Sequence, residues 1–310
     1  MADSTTNFSQ KQASLEKKTR IGESLIHVVL FACALCSIFT TVGIVVILAS
    51  QSALFFADPQ VTLLGFFTSF EWQPSIGKFG ILPLLNATLL TSFIAVVFAT
   101  PFAILVAIFL SEFTKPRIKA IIKPILEVLA GIPSVVYGYF AVGTVTPVLQ
   151  RVFGSDTVEF YNTASAGIVI GILILPILIT MIDDSLTSVP NNLREASFGL
   201  GATRLQTSFG VVIPGSFSGI AAAFILGFSR AIGETMIVAL AAGAGSALTW
   251  NPFRGAETMT GYIVRISGGD ISYNSIDYNS IFAIGLVLFL ATLGLNIISR
   301  RIVKKYQWNV

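Results

Sequence analysis

The run FSRAIGETM, residues 228–236, sets Arg230 and Glu234 four residues apart inside a stretch that is otherwise apolar or small. On one continuous helix such a spacing puts both groups on the same face, one turn apart. At membrane depth each charge costs about 2.5–3.5 kcal/mol on insertion scales. Charges kept at that cost mark either a path through a bundle or a packing contact inside it. An intrahelical ion pair that pins the bundle is the simpler of the two readings. Other reactive side chains are few. Cys33 and Cys36 form CALC within an apolar run, where neither a solvent-exposed redox motif nor further zinc ligands can be built, so buried, inert thiols are expected. The lone His27 is expected at a membrane interface, and the sequence shows no metal-ligand cluster.

The elements that carry Arg230 and Glu234 follow from composition. The 310-residue chain is 54% hydrophobic and 11% charged, where soluble domains carry about 25% charged residues. Its mean hydropathy is +0.82. Residues 24–57, 79–111, 128–150, 160–182, 205–229 and 278–299 are free of Asp, Glu, Lys and Arg. Each can hold a spanning helix of about 20 residues. The spacing predicts helices over 26–50, 84–110, 125–150, 163–182, 215–246 and 280–299. The first apolar run exceeds the core of a cleaved signal peptide and reads as a retained span.

Six spans place both termini on one side. That side then holds fourteen of the nineteen basic residues, and the other holds only Lys78, Arg151, Arg254 and Arg265. The asymmetry predicts cytoplasmic termini, with tails 1–24 and 301–310 flanking a transmembrane domain over 25–300. Because the cations gather at helix ends and not on an aromatic-bearing face, a nucleic-acid partner is not expected; lipid is. External loops fall at 51–80, 151–162 and 247–279. In them Trp72 lies in the interface or against the bundle, and Trp250 and Tyr262 are expected interface anchors. Pro101, Pro133, Pro147 and Pro176 lie at or inside spans and bend them. In LAGIPSVVYG, Gly131 and Pro133 form a candidate hinge beside Tyr137.

The longest cytoplasmic connection, 183–214, reads DDSLTSVPNNLREASFGLGATRLQTSFGVVIP. Pro190 and Asn191 start a short helix, Gly199 and Gly201 interrupt it, and a second amphipathic stretch carries Leu205, Phe209 and Val212. A helix–glycine–helix of this kind can dock in a partner's groove or lie on the bilayer. The order Glu195-Ala196-Ser197, Gly201, Pro214 resembles the EAA motif of bacterial ABC importer permeases, with serine where alanine is usual. SFEWQP, FGILPLLNATLL, IFLSEF, LAGIPSVVYG, LREASFGLGATRLQT and FSRAIGETMIVALAAG, in that order, resemble the permease family of the high-affinity phosphate importer. Within it the resemblance is to the PstC type more than to the related PstA type.

That resemblance implies an all-α polytopic fold of six transmembrane helices, the type I (MetI-like) permease fold. It implies a PstA-like permease enclosing the path, a PstB-like ATPase dimer binding ATP and Mg, and a PstS-like protein delivering inorganic phosphate. The chain itself would hydrolyse nothing and hold no cofactor. Arg194, Glu195, Ala196, Gly201 and Leu205 would meet the ATPase. Arg230 would contact the passing phosphate through its planar fork of donors, with Glu234 holding that fork when phosphate is absent. Ser229, Thr235 and Tyr137 could add hydrogen bonds. The alternatives are a permease for phosphonate, sulfate or molybdate, and a membrane assembly subunit with no path of its own. The predicted orientation has a direct check in whole cells. A cysteine introduced at residue 265 should react with a membrane-impermeant reagent and one at 305 should not; the reverse pattern overturns the topology.

Overall fold

The computed structural model describes residues 21–306, apart from 246, 247, 270, 271 and 274. The chain divides into two compact units, residues 1–48 and 49–310. In the first, the described residues form most of helix α1 (Ile21–Ala57). Its side chains over residues 25–48 are mostly apolar and almost all exposed. Cys33 and Cys36 are free and exposed on this helix, not buried as expected. An α-helix can be apolar all round when lipid is its solvent.

The second unit is helical apart from one small hairpin. After the last turns of α1 come α2 (Leu63–Thr68) and the antiparallel pair β1 (Trp72–Gln73) and β2 (Lys78–Phe79). Then α3 (Leu82–Ile108) closes in a π turn, Phe109–Phe113. Next are α4 (Pro116–Ala130), α5 (Ser134–Phe140), a π turn over Ala141–Val145, and α6 (Thr146–Phe153). α7 (Thr163–Thr187) leads to α8 (Asn191–Gly199) and α9 (Arg204–Thr207). The last four are α10 (Phe217–Ile232), α11 (Met236–Ala241), α12 (Met259–Ser267) and α13 (Ile276–Tyr306).

Four helical stretches are long and apolar enough to cross a membrane: Leu25–Ala57, Leu82–Phe113, Thr163–Thr187 and Ile276–Lys304. Two bent pairs bring the number to as many as six. The sequence expectation fails in detail at these pairs. The third expected helix, 125–150, is broken: α4 ends at Ala130, and Ser134–Phe153 turns from it by 82°. The fifth does not run through 215–246: α10 stops at Ile232 and a separate short helix follows. Tyr262 is no interface anchor. It is fully buried, edge-on to Trp72 with ring centroids 5.2 Å apart. These two rings join Phe55, Phe66 and Phe79 in an aromatic cluster that folds the 58–81 segment onto α3, α12 and α13.

The main core forms where α3 meets α7. Ala95, Ala99, Ala103 and Ala107 recur every fourth residue along α3, all at 0% exposure. Opposite them, α7 presents Gly167 and Gly171. Lipid supplies no hydrophobic force between spans, so close backbone approach through small residues provides the attraction. The fit is tight enough to exclude one carbon. A Cβ on Gly171 would lie 2.8 Å from the Ala95 carbonyl oxygen, whereas one on Gly294 in α13 meets nothing within 4 Å. Gly171→Ala should therefore destabilise the protein by about 1–3 kcal/mol through overpacking, and Gly294→Ala should not. Thermal unfolding of the purified protein in detergent measures both, and equal melting temperatures would show that the helices are less closely engaged.

Candidate functional site

The break between α10 and α11 spans residues 233–235. Gly233 is the C-cap of α10, and Glu234 after it is fixed on three sides. Its N–H donates to the Ala231 carbonyl at 3.2 Å. Its carbonyl accepts from the Thr260 hydroxyl of α12 at 2.7 Å, and its carboxylate Oε1 accepts the Ile237 N–H at 3.3 Å. The side chain thus caps the first turn of α11, a position where a carboxylate also meets the favourable end of the helix dipole.

Arg230, in the last turn of α10, has no ion pair with Glu234. It is exposed and has no hydrogen-bond or ion-pair partner among the described residues. The intrahelical pair expected from the spacing is absent because the helix ends between its two members. Ser229 is half-buried beside Arg230. Thr235 turns its hydroxyl onto the Gly233 carbonyl at 3.2 Å.

The second break lies across the bundle, at residues 131–133. Proline disfavours helical backbone at the residue before it, and Pro133 opens α5 with ψ at 133°. Gly131 takes an ordinary right-handed φ of −83°. Tyr137, on the first turns of α5, is 9% exposed and donates its hydroxyl to the Leu129 carbonyl at 3.0 Å. That donor closes the bend and satisfies a carbonyl at the end of α4, so it is not left pointing into a path. Next to it, a Cβ on Gly138 would meet Leu240 Cδ1 at 2.7 Å. The glycine lets α5 lie directly against α11.

At the end of the bundle that carries residues 191–215, the candidate coupling residues separate into two groups. Glu195, Ala196 and Leu205 are exposed, as are Phe198 and Leu200, the latter at 90%. Gly201 sits between α8 and α9 at φ +85°, with open space around a Cβ. The turn needs glycine for its left-handed backbone, not for close packing. Ser197 Oγ lies 2.9 Å from Thr207 Oγ1 and links the two short helices, which gives the unusual serine of the motif a structural role. Thr203 and Gln206 cap α9 reciprocally; the Thr-x-x-Gln spacing is a readable signal of that start.

Arg194 faces inward instead. Its Nη2 donates to Glu112 Oε1 at 3.0 Å and to the Leu186 carbonyl at 2.7 Å, and Nη1 reaches the Val189 carbonyl. It clamps α8 to the ends of α3 and α7. A second clasp was not legible in the sequence. Asp183, fully buried in α7, receives Lys119 of α4 at 2.7 Å. Lys123 Nζ lies 2.9 Å from the other carboxylate oxygen, an ion contact without good hydrogen-bond alignment, and 3.0 Å from Asp184.

At the far end Arg265 grips the buried Glu257 with two donors, at 2.6 and 3.1 Å, and stacks over Tyr262. It is not a solvated loop charge. Both residues line cavities of about 410 and 460 Å³.

The two groups of coupling residues should behave differently. Breaking a buried pair from one side costs about 3–5 kcal/mol. Arg194→Ala and Glu112→Ala should thus each lower stability markedly, while Glu195→Ala should leave it unchanged. Thermal unfolding of the three variants decides; unchanged melting of Arg194→Ala would mean that the clamp does not hold α8.

Residues 99–307 match the family model described as "Binding-protein-dependent transport system inner membrane component". The chain is 32% identical to the probable ABC transporter permease protein YqgH of Bacillus subtilis over 92% of each chain. It is 31% identical to the phosphate transport system permease protein PstC of Mesorhizobium japonicum over 76% of each. A bacterial alginate ABC transporter, solved with an alginate-pentasaccharide-bound periplasmic protein, shares its fold at TM-score 0.62 and 17% identity. That match covers 93% of this chain and 99% of the other. The MetNI methionine ABC transporter in an inward-facing form gives TM-score 0.56 at 17% identity, covering 76% and 100%. The chain is a multi-pass membrane protein that belongs to the family of binding-protein-dependent transport system inner membrane components, the non-catalytic permeases of ABC transporters.

Proposed function

We propose that this chain is the PstC-type permease subunit of an ATP-driven importer, and that it forms part of the path for inorganic phosphate. The reading draws on the relatives that carry the phosphate-transport name. The observation that carries the site is the unpartnered Arg230 beside a break whose carboxylate is already committed elsewhere. A guanidinium at membrane depth with no counter-charge among the described residues favours an anion. Its planar fork matches two oxygens of a tetrahedral oxyanion. Glu234 acts as the cap that fixes the break, and it does not have to be displaced from Arg230 before phosphate can bind.

The partners follow from this role. A PstA-like permease encloses the other half of the path, a PstS-like protein delivers phosphate, and a PstB-like ATPase dimer binds ATP and Mg. With both termini cytoplasmic, the exposed Glu195, Ala196, Leu200 and Leu205 of α8 and α9 face that ATPase. The positive-φ turn at Gly201 sets the angle between the two helices. The bend at 131–133 and the clasps at Asp183 and Arg194 carry motion from there toward Arg230. A permease for sulfate or another oxyanion would use the same guanidinium, so substrate competition in the assembled importer separates these readings.

Losing a charge-assisted contact of about 1.5–3 kcal/mol should slow transport about ten- to a hundredfold. Arg230→Ala should therefore lose most phosphate uptake in proteoliposomes while the complex still assembles. Arg230→Lys should recover part of it, keeping the charge and losing the fork. Near-normal uptake by Arg230→Ala would place the anion path elsewhere.

A further inference from the structure

Resting on the reading of Arg230 above, we infer that Thr260 is the positioning residue that sets where the Arg230 guanidinium stands. In the break that follows Arg230, the Glu234 carbonyl takes its hydrogen bond from outside α10 and α11. Thr260 supplies the donor from α12, at 2.7 Å, and its side chain is 5% exposed. Thr260 is buried, so solvent does not readily replace that donor.

The strut that carries Thr260 is itself anchored away from the break. The Met259 N–H donates to the Thr88 hydroxyl of α3 at 3.0 Å, in buried surroundings. Thr258 caps α12 by accepting the Gly261 N–H at 3.0 Å. At the other end of α12, Arg265 is held by Glu257, and Tyr262 bonds Ser280 of α13 at 2.9 Å. α12 is thus braced against α3 and α13, and Thr260 is its hydrogen bond to the break. Without that bond, residues 233–235 keep only their bonds to α10 and α11, and the last turn of α10 is free to shift. Thr260 touches no substrate in this account. It acts through the backbone of Glu234, four residues beyond the guanidinium.

Valine has the shape of threonine without the hydroxyl, and serine keeps the donor. In the reconstituted importer, Thr260→Val should cut the maximal rate of phosphate uptake about tenfold, the scale of a misplaced positioning contact. The concentration of phosphate-loaded binding protein giving half-maximal rate should hold steady. Thr260→Ser should transport close to wild type. A second readout needs no transport. The labelling rate of Arg230→Cys by a small thiol reagent should change when Thr260→Val is added and should not change with Thr260→Ser. If Arg230→Ala transports normally, the assignment of Arg230 fails while the labelling result still judges Thr260. An unchanged labelling rate with Thr260→Val would overturn the positioning role. Failure of Thr260→Val and Thr260→Ser alike, in assembly or in transport, would also overturn it, because the hydroxyl would then not be what matters.

Discussion

A polypeptide that leaves helical geometry inside a bilayer must find partners for every amide and carbonyl it frees, because water is not there to take them. Residues 233–235 draw on side chains for part of that demand: Thr235 serves the Gly233 carbonyl, and Glu234 and Thr260 each supply a further bond. Glu234 gives its carboxylate to α11, its N–H to α10, and its carbonyl to Thr260. A carboxylate bound in this way has one oxygen engaged by backbone and does not reach Arg230. The unpaired cation is thus a consequence of how the break is satisfied. The other close contacts serve the same place: Gly138 admits α5 against α11, and the braced α12 holds the break from its other side.

Around this break the molecule divides by the kind of force that holds it. The α3–α7 core is held by small residues and near-contact backbones, which define one spacing and resist change. The aromatic cluster about Trp72 and Tyr262 closes the far end by edge-on ring packing. At the end with α8 and α9, charges replace packing, and both clasps terminate on the last turns of α7. Asp183 is fully enclosed yet meets two ammonium groups, so the two lysines tie α4 to α7 while the apolar face of α4 stays exposed. α8 is thereby tied to α7, and α7 to α4. α4 is joined to α5 by the Tyr137–Leu129 bond across the 82° bend. These named contacts run from the exposed helices α8 and α9 through α7 and α4 to α5.

Much of this was legible in the amino-acid order. Charge-free runs located the long spans, because a bilayer demands length and apolarity and little else. Pro190 and the glycines between α8 and α9 announced a short helix and a turn, and Gly201 is in the left-handed region that only glycine enters freely. What escaped the reading has physical reasons. Glu234 looked like the second half of an i, i+4 pair, since hydrophobicity continues on both sides of the break and conceals where the helix ends. The ion pairs of the basic residues of α4 were hidden because their carboxylate partners lie 61 and 64 residues away in sequence. Arg194 sat within a motif facing outward, yet its guanidinium turns to Glu112, 82 residues earlier. Local periodicity does not encode such pairings. The alanine stripe of α3 was visible in principle, but its meaning depends on the glycines opposite it on α7.

The central claim is that Glu234 is held by backbone and leaves Arg230 to the anion. A cryo-electron microscopy map of the assembled importer, trapped with phosphate in the path, tests it directly. The account predicts tetrahedral density within hydrogen-bond distance of the Arg230 guanidinium, with the Glu234 carboxylate still on the Ile237 N–H. A closed Arg230–Glu234 ion pair, with phosphate bound elsewhere, would contradict it.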